Sequence, residues 1–148
     1  MSVTIGQMAK KMGVSASALR YYDKEGLLPF VQRAPGGARL FREEDEEGLA
    51  VVECLKETGM SIREIREFME WCMQGDSTIP LRLARIDRQR EAVLAQMESL
   101  RHTLDGLDYK HWYYETAQKA GTCAVHQSLS DAEIPPEILE KRKKLHTF

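Results

Sequence analysis

Apolar residues at Ile5, Met8, Ala9 and Met12 recur at helical spacing directly after the start of Thr4-Ile5-Gly6-Gln7. That tetrapeptide reads as a capping box, in which the Thr hydroxyl accepts an early orphan N–H and the Gln side chain reaches back to the cap. The pattern predicts about two helical turns with one buried face. Gly13 ends them in the left-handed conformation that glycine adopts without a Cβ penalty. Ser15 then caps a second short helix whose inner side carries Ala18, Leu19 and Tyr22. Two short helices across a tight glycine turn form a helix-turn-helix candidate. After Gly26 the period changes. Pro29 stops the helix, and Pro35-Gly36-Gly37 turns residues 30–33 onto residues 38–41, a two-stranded hairpin with basic residues on both arms, as in a wing.

A third helix opens on Glu43-Glu44-Asp45-Glu46-Glu47, acids that complement the helix dipole. Leu49, Val52 and Leu55, with Val51, form its apolar face, and Gly59 closes it. Gly48 sits inside this helix, where it should cost about 1 kcal/mol relative to Ala, and nothing in its neighbours explains it. Ser61-Ile62-Arg63-Glu64 is a second capping box, followed by an amphipathic helix through Ile62, Ile65, Phe68, Met69 and Cys72. Past the break at Gly75-Asp76-Ser77-Thr78 comes the clearest pattern in the chain. Ile79, Ile86, Val93, Leu100, Leu107 and Tyr114 fall seven residues apart, and Leu83, Arg90, Met97, Leu104 and His111 fill the interleaved row. Two such rows predict one helix of about 36 residues, roughly 50 Å long, that buries its seam against a copy of itself. Arg90 and His111, polar within the seam, set register. After Gly121 the pattern decays. Ser130-Asp131-Ala132-Glu133 can cap a turn, Pro135-Pro136 resets the chain, and residues 137–145 form a short basic-ended helix.

The expected architecture is therefore mainly α: a winged helix-turn-helix head over residues 1–75, a coiled-coil dimerisation helix over 76–120, and a tail over 121–148. Composition fits a folded chain, 43% hydrophobic and 30% charged. No run approaches the roughly 18 apolar residues of a membrane span, and residues 1–12 lack a secretory pattern, so a cytoplasmic location is expected. The net charge of −2 hides a division. Residues 1–42 carry seven Lys/Arg against two acids, while the rest carries 14 against 21. A basic head on an acidic body suits a head that faces a polyanion, although a solvated charged surface reads the same way.

If the second helix enters a major groove, Ser15, Ser17, Arg20 and Tyr21 are its candidate contacts. Arg20 can read a guanine edge or clamp a phosphate, and the hydroxyls hold the backbone. Tyr22 belongs to the core. In the hairpin, Arg33 and Arg39 would track phosphates, with Gly36 and Gly37 permitting close approach, and Thr4 adds a hydroxyl at the first helix end. The bland reading of the hairpin is a charged surface loop.

The run Thr4-Ile5-Gly6-Gln7-Met8-Ala9, then Gly13-Val14-Ser15 and Leu19-Arg20-Tyr21-Tyr22-Asp23-Lys24-Glu25-Gly26-Leu27-Leu28, resembles the N-terminus of MerR-family regulators. Arg39 with Phe41 resembles the wing's Arg-x-aromatic pair, and Gly59-Met60-Ser61-Ile62-Arg63-Glu64-Ile65 resembles the family's second wing, which adds Ser61 and Arg63 to the candidate DNA contacts. The match covers residues 3–74 in detail and the dimer helix in architecture. Ala38, where the family's wing has an aromatic, and Arg42, where a Ser or Thr cap is common, depart from it. The resemblance implies a homodimer joined by antiparallel long helices on an overlong promoter spacer. Bending and untwisting of that DNA would let RNA polymerase use both promoter elements.

Family members differ mainly in inducer. In Val52-Glu53-Cys54-Leu55-Lys56-Glu57, Cys54 resembles the single thiol of the AdhR/NmlR-like branch, associated with aldehyde, electrophile and nitrosative stress. Its neighbours Glu53 and Glu57 oppose thiolate character, and a buried Cys acting as a small hydrophobe is the alternative. Three widely spaced cysteines, Cys54, Cys72 and Cys123, make a poor disulfide framework. A metal-responsive reading would use Cys123 and His126, but a lone C-x-x-H is short of four tetrahedral ligands, and Cys72 follows the core period. An aromatic or cationic ligand near Tyr109, Trp112, Tyr113 and Tyr114 is a third reading, set against plain packing. No nucleophile elbow, phosphate loop or paired metal-ligand motif occurs, so neither enzymatic activity nor a cofactor is expected. A coiled-coil adaptor whose head binds protein is the alternative without DNA.

Overall fold

The computed structural model describes residues 1–145. It divides into two compact units, Met1–Glu91 and Ala92–Phe148, and one helix runs through both.

In the first unit the caps form as the sequence dictates. Helix α1 (Ile5–Met12) starts at a complete Thr4/Gln7 capping box and stops at Gly13, whose φ of 69° closes the turn into α2 (Ala16–Lys24). Ser15 caps α2 by accepting from the Ala18 N–H at 3.0 Å. Strands β2 (Gln32–Arg33) and β3 (Arg39–Arg42) make the expected hairpin in shortened form. A strand not anticipated, β1 (Ser2–Val3), pairs antiparallel with the other edge of β3, giving the order β1-β3-β2. The N-terminus thus closes one edge of β3.

Helix α3 (Asp45–Glu57) begins within the acidic run. Its first turn is fixed by Asp45, 2% exposed, which accepts from the Arg42 N–H at 2.7 Å and from the Arg42 guanidinium at 2.9 Å. That contact ties Arg42 to the start of α3, which has no side-chain cap of its own. Leu49, Val52 and Leu55 are buried, but Val51 is 36% exposed and lies off the core face where the sequence reading put it. Two residues from Leu49 on a helix, it is rotated well away from the inward stripe. Gly48 has an explanation here. A Cβ on it would lie 2.6 Å from Phe30 Cζ, so the glycine is the seat of the Phe30 ring.

Helix α4 (Ile62–Gln74) starts at the Ser61/Glu64 capping box and buries Ile65, Phe68 and Met69. Helices α1 to α4 and the sheet share one core, with Met8, Leu19, Tyr22, Leu27, Phe41 and Val52 at its centre. Tyr22 is core but not inert. Its hydroxyl donates to Glu53 at 2.6 Å and accepts from Lys56 at 2.8 Å, and burial followed by the Glu53 contact pushes its pKa up.

Helix α5 (Ile79–Ala120) is the predicted rod as a single element of 42 residues. Its start is tied to the head by long polar side chains. Arg85 donates to the Glu64 carbonyl at 3.0 Å and to Glu67 at 2.9 Å, its guanidinium lying over the Trp71 ring, and Gln89 donates to the Thr58 carbonyl at 2.6 Å. Arg88 pairs with Glu64, whose pKa is held low chiefly by the Ser61 backbone N–H.

In the second unit the chain after α5 forms a short α6 (Val125–Ser128), a capped turn at Asp131–Glu133 and α7 (Pro136–Leu145). Lys141 of α7 donates to Asp108 at 2.7 Å, and Arg142 donates to Asp131 at 2.7 Å. Tyr109, Trp112 and Tyr113 pack within this unit, with the His126 ring stacked 3.7 Å from Tyr113.

Candidate nucleic-acid interface

The outward side of α2 follows from its inward side. Leu19 and Tyr22 are 1% and 2% exposed, which fixes the helix roll and turns Ser17, Arg20, Tyr21 and Lys24 outward. Those four stand at i, i+3, i+4 and i+7, one continuous stripe. All are exposed, Tyr21 by 47%. Ser15 is also exposed at the N-terminus of α2, and the Ser17 hydroxyl donates to it at 3.4 Å. Lys24 escaped the sequence reading, although its spacing from Arg20 and Tyr21 was a sufficient signal.

The hairpin supplies Arg33 and Arg39 from facing positions of β2 and β3. Its turn is closed by Ala34 N–H to the Ala38 carbonyl and Gly37 N–H to the Ala34 carbonyl, both 2.8 Å, and Gly37 is exposed. Arg33 is exposed, and Arg39 is half-buried. Both guanidiniums bond Asp23 at the end of α2, at 2.7 Å and 2.6 Å, so they are not the loose surface arginines that the sequence alone allowed.

Thr4, Ser61 and Arg63 are exposed at helix N-termini. Thr4 and Ser61 are already engaged as caps, their hydroxyls accepting from the Gln7 and Glu64 N–H groups. Helix α4 is held to the end of α2 by Arg66, which donates to the Glu25 carbonyl at 2.6 Å and packs 3.2 Å from where a Cβ of Gly26 would stand. Gly26, with φ of 77°, is therefore doubly constrained, by backbone conformation and by that guanidinium.

Cys54 lies in the last turns of α3 and is exposed, which removes the reading of it as a buried hydrophobe. Its carbonyl accepts from the Thr58 N–H at 3.3 Å. Cys72 is half-buried against the core, as its period predicts. Cys123 is exposed, and His126 Nε2 is 2.8 Å from the Tyr113 carbonyl. Among the described residues no group of three or more His, Cys, Asp or Glu side chains could hold a metal ion. Among them, too, no helix is long and apolar enough to cross a membrane.

Comparison with known proteins agrees with this geometry. Residues 3–71 match the family model for the MerR HTH family regulatory protein, and residues 47–109 match that for MerR, DNA binding. An uncharacterized HTH-type transcriptional regulator of Haemophilus influenzae is 43% identical over 122 residues, 82% of this chain and 90% of that protein. The HTH-type transcriptional regulator AdhR of Bacillus subtilis is 33% identical over 62% of this chain and 66% of its own. Among solved structures, HiNmlR, a MerR family regulator lacking the sensor domain and crystallised on promoter DNA, is 42% identical with a TM-score of 0.67, covering 84% of this chain and 99% of that one. These relatives are transcriptional regulators. With its capped helix-turn-helix, basic hairpin and long helix, the chain belongs to the MerR family of DNA-binding transcriptional regulators, close to NmlR and AdhR.

Proposed function

We propose that the protein acts in the cytoplasm as a homodimer on double-stranded promoter DNA. Residues 1–75 form the DNA-binding head, 76–120 the dimerisation helix and 121–148 the tail. The carrying observation is the exposed stripe Ser17, Arg20, Tyr21 and Lys24 on α2 beside the two hairpin arginines. A helix with that stripe fits a major groove, with Arg20 on a base edge or phosphate and the hydroxyls on the backbone. Arg33, Gly37 and Arg39 reach the flanking phosphates. Thr4, Ser15, Ser61 and Arg63 add hydroxyl, backbone N–H and guanidinium donors at three helix N-termini, where phosphate is favoured. Two heads at a fixed separation bend and untwist the duplex between them, which presents both promoter elements to RNA polymerase.

Electrophoretic mobility shifts at several salt concentrations test this. Phosphate contacts make affinity fall steeply with salt, whereas a protein-binding adaptor shows no duplex affinity at all. Arg20→Ala is expected to cost about 1–3 kcal/mol of binding. Wild-type affinity in that variant would remove α2 from the interface.

The signal is read at Cys54, an exposed thiol in a chain similar to AdhR and HiNmlR. Electrophiles, aldehydes or nitrosating species are the ligand class, since an accessible cysteine is the nucleophile that, as its thiolate, attacks them. Cys54→Ser is expected to bind DNA normally and to lose induction by aldehydes in a reporter strain. Full induction in that strain would assign sensing elsewhere.

A further inference from the structure

Only two acids lie in the first 42 residues, and the structure gives each an arginine. Glu25 pairs with Arg66 of α4, whereas Asp23 takes both hairpin arginines on one oxygen. Asp23 Oδ2 accepts from Arg33 Nη2 at 2.7 Å and from Arg39 Nε at 2.6 Å, while Arg33 Nη1 donates to the Gly37 carbonyl at 3.0 Å.

Arg33 and Arg39 are directly opposite in the β2–β3 ladder, a placement in which like charges destabilise a strand pair. The Asp23 carboxylate between them turns that repulsion into two charge-assisted hydrogen bonds. Burial grades the three groups: the side chain of Asp23 is 14% exposed, that of Arg39 22% and that of Arg33 54%. The acid is withdrawn and the guanidiniums stand outside it. A guanidinium is a rigid planar fork, so pinning Arg39 by Nε fixes where its two terminal nitrogens point. Among the described residues those nitrogens hold no other hydrogen bond. Asp23 also lies at the end of α2, next to Lys24 and three residues after Arg20. One carboxylate oxygen thus joins the hairpin to the helix that carries the recognition stripe.

We propose that Asp23 is the positioning residue of the interface, setting the hairpin arginines against α2 so that both meet one duplex together. It touches no DNA and acts through Arg33 and Arg39. This rests on the DNA-binding reading above. A carboxylate that merely neutralised the arginines would behave oppositely, because its removal would add positive charge and tighten binding.

The test uses the full-length protein and a duplex selected by the wild type from a random-sequence library, with a scrambled duplex as reference. Failure of the wild type to select any duplex would overturn the DNA-binding reading and this proposal with it. Given a selected duplex, Asp23→Asn is expected to weaken binding roughly tenfold, about the worth of a hydrogen bond to a charged group. In an Arg33→Ala/Arg39→Ala background the same substitution should change affinity less than about twofold, as expected of a residue acting only through those two. Tighter or unchanged binding by Asp23→Asn would overturn the proposal, as would an undiminished loss in the double-alanine background. Arg39→Lys covers the case in which Asp23→Asn fails to fold. It keeps the charge and loses the fork, so the proposal requires weaker binding, and wild-type affinity would overturn it.

Discussion

Leu100→Glu/Leu104→Glu is expected to sediment as a monomer at micromolar concentration, and the wild type as a dimer. Both leucines lie on the apolar seam of α5, most of whose large apolar residues are 40–69% exposed in the single chain. Ile79, Leu83, Ile86, Met97, Leu100, Leu104, Leu107 and Tyr114 fall in this group and belong to the two heptad rows, whereas Val93 of the same rows is half-buried and Leu81 and Leu94 are exposed off them. A soluble monomer rarely leaves so continuous a stripe in water. A second copy of the same helix would bury it, at about 1.5–3 kcal/mol for each large side chain.

Each substitution enters a symmetric dimer twice, so four leucines are lost and four carboxylates face a dry seam. A loss of at least about 4 kcal/mol follows, roughly a thousandfold in the dissociation constant. The head should be unaffected, since neither residue lies in Met1–Glu91 or contributes to its core. Its thermal unfolding is therefore expected to persist while operator affinity drops by two or more orders of magnitude, as the second head no longer binds at high effective concentration. Sedimentation velocity decides the point. A variant that remains dimeric would show that the chains meet elsewhere.

What the chain order reveals follows the distance over which each cause acts. The three helix caps at Thr4, Ser15 and Ser61 are contained within four residues, and all three form as read. The heptad rows repeat one local rule, and α5 obeys it throughout. Strand β1 was missed because two residues, Ser2 and Val3, carry no period and owe their conformation to β3 across the sheet. Asp23 drew no role from the sequence because its partners lie 10 and 16 residues along the chain. The exposure of Cys54 was equally hidden. Leu55 beside it is buried, and only the packing of α3 on the core decides which of two adjacent residues faces water.

At Gly48 local and tertiary rules predict opposite signs. By helix propensity alone Gly48→Val should stabilise α3 slightly, by roughly 0.4 kcal/mol, because glycine is the poorer helix former. Packing predicts the reverse. The Cβ would stand 2.6 Å from Phe30 Cζ and 2.7 Å from Cε1, distances that no Cβ tolerates, so the ring must leave its seat against the core. Overpacking of this kind costs about 1–3 kcal/mol, several times the propensity gain, and the branched methyls of valine put the expected loss near 3 kcal/mol. Phe30 precedes the hairpin arm, so a displaced ring also loosens the connection between α2 and β2. Chemical denaturation of four proteins isolates the cause. In the wild-type background Gly48→Val should lower stability by about 3 kcal/mol, and in a Phe30→Ala background it should be neutral or stabilising within about 0.5 kcal/mol. An equal loss in both backgrounds would mean that the glycine serves the backbone of α3 and not the ring above it.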